Sequence, residues 1–212
     1  MAPEVIAAGQ REYMAWNSAR EEALTAGAVP SLRIRTTTEW ADGPGGPPFS
    51  APGSSVEVLT LEPGEARPSG PRFGSLVHGA LAIVPLDAER QAVDAIVGTQ
   101  ARVLGATPEE AQSAGDLIDA VLRHPLFDDV RSAARSGRCL RETPVTLTLE
   151  NELVEGTVDL AFTSAGRTTV IDFKTDRVEG DRLERYKRQV GLYADAIARV
   201  TNGPVRAILL MI

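Results

Sequence analysis

Two carboxylates and an ammonium stand in apolar, strand-like surroundings in the C-terminal third of the chain. Asp159 lies in Gly156-Thr157-Val158-Asp159-Leu160, and Asp172 and Lys174 lie in Val170-Ile171-Asp172-Phe173-Lys174. Aspartate is depleted in strands, and a charge flanked by core-forming residues needs compensation. Two carboxylates held close together repel unless a cation neutralises them. Mg²⁺ suits such a place, because it takes oxygen ligands octahedrally and is usually held by one or two carboxylates plus substrate phosphate. Lys174, two residues after Asp172, leaves the strand on the same side. Carboxylates, a metal and a neighbouring amine together point to hydrolysis of a phosphate ester.

Each residue also has a plainer reading. Asp159 can be a solvent-facing aspartate, with Val158 and Leu160 on the opposite face of the strand. Lys174 either pairs with Asp172 or Asp176, or orients an attacking water and steadies the charge growing on the phosphate. Glu142 either faces the site, holding a water on the metal or a second ion, or is a strand-edge charge beside Arg141. Gln189 and Tyr193 are four apart and share one helix face, although Tyr193 also fits the apolar stripe. Arg182, Arg185, Lys187 and Arg188 either meet phosphates or, interleaved with Glu179, Asp181 and Glu184, form a solvated face.

The elements that must position these residues are legible in outline. Residues 4–26 read as a helix and 31–40 as an extended segment. From Ala41 to Gly70 the chain is rich in Gly, Pro and Ser, with one short strand signal at Val56 to Leu61. Helices are predicted over Phe73–Val84, Asp87–Leu104, Pro108–Arg123 and Pro125–Ala134, the third with Thr107 as N-cap. Periodicity then switches. Strands are predicted at Thr143–Leu149 and Leu153–Phe162, joined by a hairpin turn at Glu150-Asn151-Glu152, and at Thr168–Lys174. Leu183, Tyr186, Val190, Tyr193, Ile197 and Val200 form one helical stripe, which Asn202-Gly203-Pro204 ends before a last strand, Val205–Ile212. A closing strand–helix–strand crossover permits parallel pairing within a mixed sheet.

Composition limits the alternatives. The 212 residues suffice for one substantial core or one domain plus an arm. The chain has no apolar run long enough for a membrane span and no N-terminal secretory pattern. One cysteine, Cys139, leaves no partner for an internal disulfide and excludes a four-cysteine iron–sulfur cluster or cysteine-rich zinc site. A reducing cytoplasm fits that usage. The net charge of −7 argues against a free-standing nucleic-acid binder, and suggests that other domains or partners deliver a polymer substrate.

In order along the chain stand Gly74-Ser75-Leu76-Val77-His78, Arg141-Glu142-Thr143-Pro144, Gly156-Thr157-Val158-Asp159, Asp172-Phe173-Lys174 and Gln189-Val190-Gly191-Leu192-Tyr193. With these five motifs, residues 72–212 resemble the PD-(D/E)XK nuclease superfamily, most closely the C-terminal nuclease domain of RecB/AddA-type helicase–nucleases of the UvrD/Rep-like class. The resemblance implies a restriction-endonuclease-like α/β fold, a mixed central sheet flanked by helices with an N-terminal helical arm. It implies that His78, Asp159, Asp172 and the Phe173 carbonyl hold Mg²⁺ or Mn²⁺, that Lys174 assists catalysis, and that Gln189 and Tyr193 line a DNA path. Outside this motif order, His78 would read as structural, and His124 keeps that reading.

Residues 1–40 are expected to be an arm resembling the end of a helicase portion, and 41–71 a tether. The implied partners are DNA, chiefly single-stranded, and a helicase, either in the same polypeptide or in a partner subunit; no membrane is implied. The chain has no Gly-x-x-x-x-Gly-Lys-Ser/Thr loop and so is not expected to be the motor. It ends on its final strand, which fits either the natural end of a larger polypeptide or an excised domain. Two rival readings are a non-catalytic DNA-binding module of the same fold and a stand-alone resolvase or restriction-type endonuclease.

Overall fold

The computed structural model describes residues 2–43, 55–61, 67–149 and 152–212. The first helix, α1 (Pro3–Ala28), has no buried residue. A short strand, β1 (Arg33–Thr36), runs directly into α2 (Thr37–Asp42). The sequence predicts extended chain through Trp40. A capping box turns it into helix instead: Glu39 N–H donates to Thr36 Oγ1 at 3.1 Å, and Thr36 N–H donates to the Glu39 carboxylate at 2.9 Å. Three successive threonines favour a strand, but Thr-x-x-Glu satisfies two free backbone donors at once.

Next come β2 (Val56–Thr60) and four helices, α3 (Pro71–Ile83), α4 (Arg90–Leu104), α5 (Pro108–Arg123) and α6 (Leu126–Arg135). They are followed by β3 (Cys139–Leu149), β4 (Glu152–Ser164), β5 (Arg167–Lys174), α7 (Gly180–Thr201) and β6 (Val205–Met211). The turn expected at Glu150-Asn151-Glu152 rests on residues 150 and 151, which lie outside the described residues.

The six strands make one mixed sheet with β4 as its spine. β3 runs antiparallel along one edge of β4, from Leu149↔Glu152 to Cys139↔Phe162. Pro144 can sit in β3 because an edge strand needs donors on one side only. The other edge of β4 is shared. β1 pairs with it in parallel from Arg33↔Glu152 to Thr36↔Glu155, and β5 pairs antiparallel from Leu160↔Ile171 to Ser164↔Arg167. Between these two ladders, Gly156 to Asp159 have no strand partner on that edge among the described residues. β6 then pairs in parallel with β5, and β2 with β6.

Helices cover both faces. The larger core joins α3–α6 to Leu160, Phe162, Ile171, Phe173, Ile208 and Leu210 of the sheet. On the other face α7 packs through Val190 and Ala194 on Ala207, Leu209 and Met211, and through Tyr193 on Val158, Ala161 and Val170. This is the mixed α/β sheet flanked by helices that the resemblance implied.

The arm expected over 1–40 divides in two. α1 stands apart, whereas β1 extends the sheet and α2 buries Trp40 against Leu147, Val154, Leu192 and Ala196. Val56–Thr60, within the stretch expected to be a tether, likewise belongs to the sheet. No helix of the described residues is long and apolar enough to cross a membrane.

Candidate active site

Packing of α3 sets the direction of His78. Phe73, Leu76, Val77, Ala80 and Leu81 are buried at helical spacing, and Gly74 and His78, four apart, form the adjoining stripe. A Cβ on Gly74 would lie 3.2 Å from Thr175 Oγ1, so glycine lets α3 approach the end of β5. His78 then meets Asp159, Nδ1 to Oδ1 3.5 Å, and its ring packs edge-on to Phe173 with centroids 6.3 Å apart. Arg141 fixes the far end of α3, its Nη1 donating to the carbonyls of Leu81, Ala82 and Val84 at 3.2, 3.3 and 2.6 Å. Those carbonyls end a helix and have no partner within it.

Asp159 occupies the last position of the unpaired stretch of β4. Its Oδ2 accepts the Phe173 N–H at 2.8 Å, standing in for a neighbouring strand. One residue later the Lys174 carbonyl accepts from Ile212, facing β6. Because a strand residue's N–H and C=O leave the same edge, the Phe173 carbonyl shares the edge of Asp159. The β3–β4 ladder breaks opposite this point. Arg141 pairs with Leu160 and Thr143 with Val158, but Glu142 adopts φ 45°. Val158 and Leu160 were expected on one face; instead Val158 packs with Tyr193 and Leu160 with the helical layer of α3–α6. The exposed Glu142 carboxyl has its pKa raised by partial desolvation and by the charge of Asp159, with His78 acting the other way.

Asp172 and Lys174 leave β5 on the face of α7, opposite the layer that carries His78. Asp172 is 2% exposed. Its Oδ2 lies 2.6 Å from Lys174 Nζ, close enough for an ion pair but without the alignment of a hydrogen bond. Burial pushes the Asp172 carboxyl up to about 6 despite Lys174, and Asp159 adds to the rise. Burial works against the Lys174 ammonium too, but Asp172 outweighs it and leaves that pKa raised. Burial likewise opposes protonated His78; the hydrogen bond and charge of Asp159 prevail, and its pKa is raised.

Asp159 links the two sides: it meets His78 and the Phe173 N–H, and its charge acts on Asp172. Among the described residues no three His, Cys, Asp or Glu side chains lie close enough together to hold a metal ion; His78 leans on Asp159, and Lys174 pairs with Asp172. The donor set nevertheless fits a hard divalent cation. It offers carboxylate oxygens, an imidazole nitrogen and a backbone carbonyl. The mutual repulsion of Asp159 and Asp172, now relieved by Lys174, is what such a charge would remove.

One wall of the site comes from α7 and α2. Gln189 Nε2 donates to the Tyr193 hydroxyl at 3.1 Å and approaches Thr38 Oγ1 at 3.5 Å. Tyr193 OH lies 2.9 Å from Thr37 Oγ1. Its pKa is raised by burial, with Thr37 opposing and Asp172 contributing. Gly156 makes this meeting possible, because a Cβ there would lie 2.6 Å from the Thr37 side chain and 2.8 Å from Tyr193 Cε1. Arg185 and Arg188, candidates for phosphate contact, are engaged with α2: Arg185 pairs with Asp42 at 2.9 Å, and Arg188 donates twice to the Ala41 carbonyl at 3.0 and 2.7 Å.

Sequence reasoning missed two residues at this place. Thr37 was hidden in a run read as strand, although the capping box was visible. Tyr186, read as part of the apolar stripe, places its ring centroid 4.8 Å from Lys174 Nζ. Its position three residues before Gln189 on the same helix face was the available signal.

A mixed sheet flanked by helices, with acidic residues and a lysine gathered at the broken edge of its central strand, defines a class that sequence comparison identifies independently. Residues 56–212 match the PD-(D/E)XK nuclease superfamily, and the chain belongs to it. Among curated proteins it is similar to an ATP-dependent helicase/nuclease subunit of Bacillus pumilus, 36% identical over 64 residues, and to that of Carboxydothermus hydrogenoformans, 39% identical over 61. The like-named protein of Listeria welshimeri is 36% identical over 66 residues. These matches cover 25%, 27% and 26% of this chain and 5% of each relative.

Proposed function

We propose that the chain is a metal-dependent deoxyribonuclease that hydrolyses phosphodiester bonds with Mg²⁺, or Mn²⁺ in its place. The observation that carries this reading is a pair of ionic contacts, His78 with Asp159 and Lys174 with Asp172, beside the stretch of β4 left open between two ladders, with the charge of Asp159 acting on Asp172. His78, Asp159, Asp172 and the Phe173 carbonyl would hold the ion. When bound, a divalent cation supplies Lewis acidity to a phosphoryl oxygen and lowers the pKa of water. Lys174 orients the attacking water and places a fixed positive charge where negative charge grows on the phosphate. Glu142, across from Asp159, holds the water side of the cleft. Gln189 and Tyr193 line the strand path and keep the DNA in register with the reacting phosphate.

Single-stranded DNA fed by a helicase is the proposed substrate, cut as an exonuclease with endonuclease action at exposed strands. The relatives are named as helicase/nuclease subunits, and the acidic charge of this chain argues for delivery by another part of an assembly. Processing of double-strand ends in repair and recombination, in a bacterial cytoplasm beside the nucleoid, follows from that reading.

The test is incubation with end-labelled single-stranded and duplex DNA in Mg²⁺, Mn²⁺ or EDTA. Parent chain should cleave only with metal. Asp172→Ala and Lys174→Ala should each lower the rate at least about 100-fold, the size seen when one preorganised electrostatic group is lost. Cleavage by D172A at the parent rate sinks the proposal. DNA retention without metal-dependent cleavage would instead support a binding module of the same fold.

A further inference from the structure

We infer that Tyr186 is a positioning residue for Lys174: the face of its ring holds the ammonium in place, so that Asp172 can be given over to a cation without releasing the amine. The inference rests on the nuclease reading above. Among the described residues, Lys174 Nζ lies 2.6 Å from the Asp172 carboxylate and 4.8 Å from the centroid of the Tyr186 ring. The second distance is well within the range in which an aromatic face attracts an ammonium.

The ring is itself held. Tyr186 OH donates to Asp176 Oδ2 at 2.9 Å, Arg182 Nε donates to the same hydroxyl at 3.3 Å, and Arg182 Nη2 pairs with Asp176 at 2.7 Å. Asp176 follows Lys174 by two residues, and Arg182 and Tyr186 are one helical turn apart. The end of β5 and the start of α7 are therefore clamped around the amine. With Asp172 as its only partner, the amine would swing free on its flexible stem whenever that carboxylate turned to a metal. An aromatic face offers no oxygen ligand to a hard cation, so it can hold the amine without competing for the ion. The ring steadies the amine and the hydroxyl steadies the ring.

The chain has only two lysines, Lys174 and Lys187, so the contact can be read by NMR in the full metal-free chain. The Hε protons of Lys174 should lie upfield of those of Lys187, with K187R giving the assignment. Y186F should keep that shift and Y186L should lose it, with Y186M as substitute if Y186L does not fold. With labelled DNA, Y186L should lower kcat about tenfold, between the sizes of an exposed and a desolvated cation–ring contact, at unchanged KM, and Y186F should keep most of kcat. In a Lys174→Ala background the leucine change should add no further loss. A Lys174 signal that ignores Y186L, or a Y186L loss that adds in full to that of K174A, overturns the inference while leaving the nuclease reading intact. A parent chain that does not cleave DNA removes both.

Discussion

Asp172 keeps its carboxyl where solvent barely reaches, and its titration follows. An unfolded aspartate titrates near 3.8 and the folded one near 6. Folding raises this pKa, so the group's contribution to stability is complete below 3.8 and is lost as pH climbs through about 6. A cation at the site competes with the proton. Mn²⁺ at about 100 times its Kd should add roughly 2.7 kcal/mol of stability well above pH 6, and clearly less near about pH 5. Melting curves in Mn²⁺ and in EDTA at the two pH values test this; equal gains at both would contradict it. Asp172 and Lys174 stood out in the sequence because two charges two residues apart among core formers need compensation, whereas Asp159 alone also read as a solvent-facing aspartate. Tyr186 did not stand out. An aromatic in an apolar stripe looks the same whether it faces a core or an amine.

Helix α3 depends on Arg141 for its last carbonyls. Replacing that guanidinium with glutamine should lower stability by roughly 1.5–3 kcal/mol, the usual worth of hydrogen bonds from a charged donor, and loosen the approach of His78 to Asp159. Thermal melting and Mn²⁺ affinity should both fall. Gly156 carries a second dependence. Gly156→Ala should cost about 1–3 kcal/mol through overpacking against Thr37 and Tyr193, and Thr37→Ala should recover part of it in the double variant. Additive losses would mean that α2 yields elsewhere. Helix α5 was readable from its Thr107 cap and α7 from its apolar stripe, while α4 begins at Arg90 rather than at the expected Asp87. α2 was misread because the β-branched threonines spoke for a strand while the capping signal occupied only four residues.

The molecule as a whole is assembled from segments far apart in sequence. β1 pairs with β4, and α2 is tied to α7, so a few residues before the family's matched region complete one wall of the candidate site. Removing residues 2–29 should leave stability within about 0.5 kcal/mol, as for surface changes, because no residue of α1 is buried. Removing everything through Gly43 also takes Trp40, and losing a buried tryptophan alone costs roughly 3–5 kcal/mol. Comparing the melting of the two truncations decides the matter; equal effects would place β1 and α2 outside the folding unit. The mixed sheet was foreseeable from the hairpin and the closing crossover. The insertion of β1 was not, since pairing between distant segments leaves no local trace in composition.

Arg182, Arg185 and Arg188 each already hold an acceptor of this chain, Asp176, Asp42 and the carbonyl of Ala41. Two of these three charges are matched by carboxylates, which leaves less of α7 to displace the ions condensed on a polynucleotide. Where a protein meeting six to ten phosphates loses about 10³–10⁵ in affinity between dilute and moderate salt, this cleft should respond only weakly to ionic strength. Titrations across a salt series should give a shallow slope, the behaviour of a cutter that touches each strand briefly and leaves the gripping to something else.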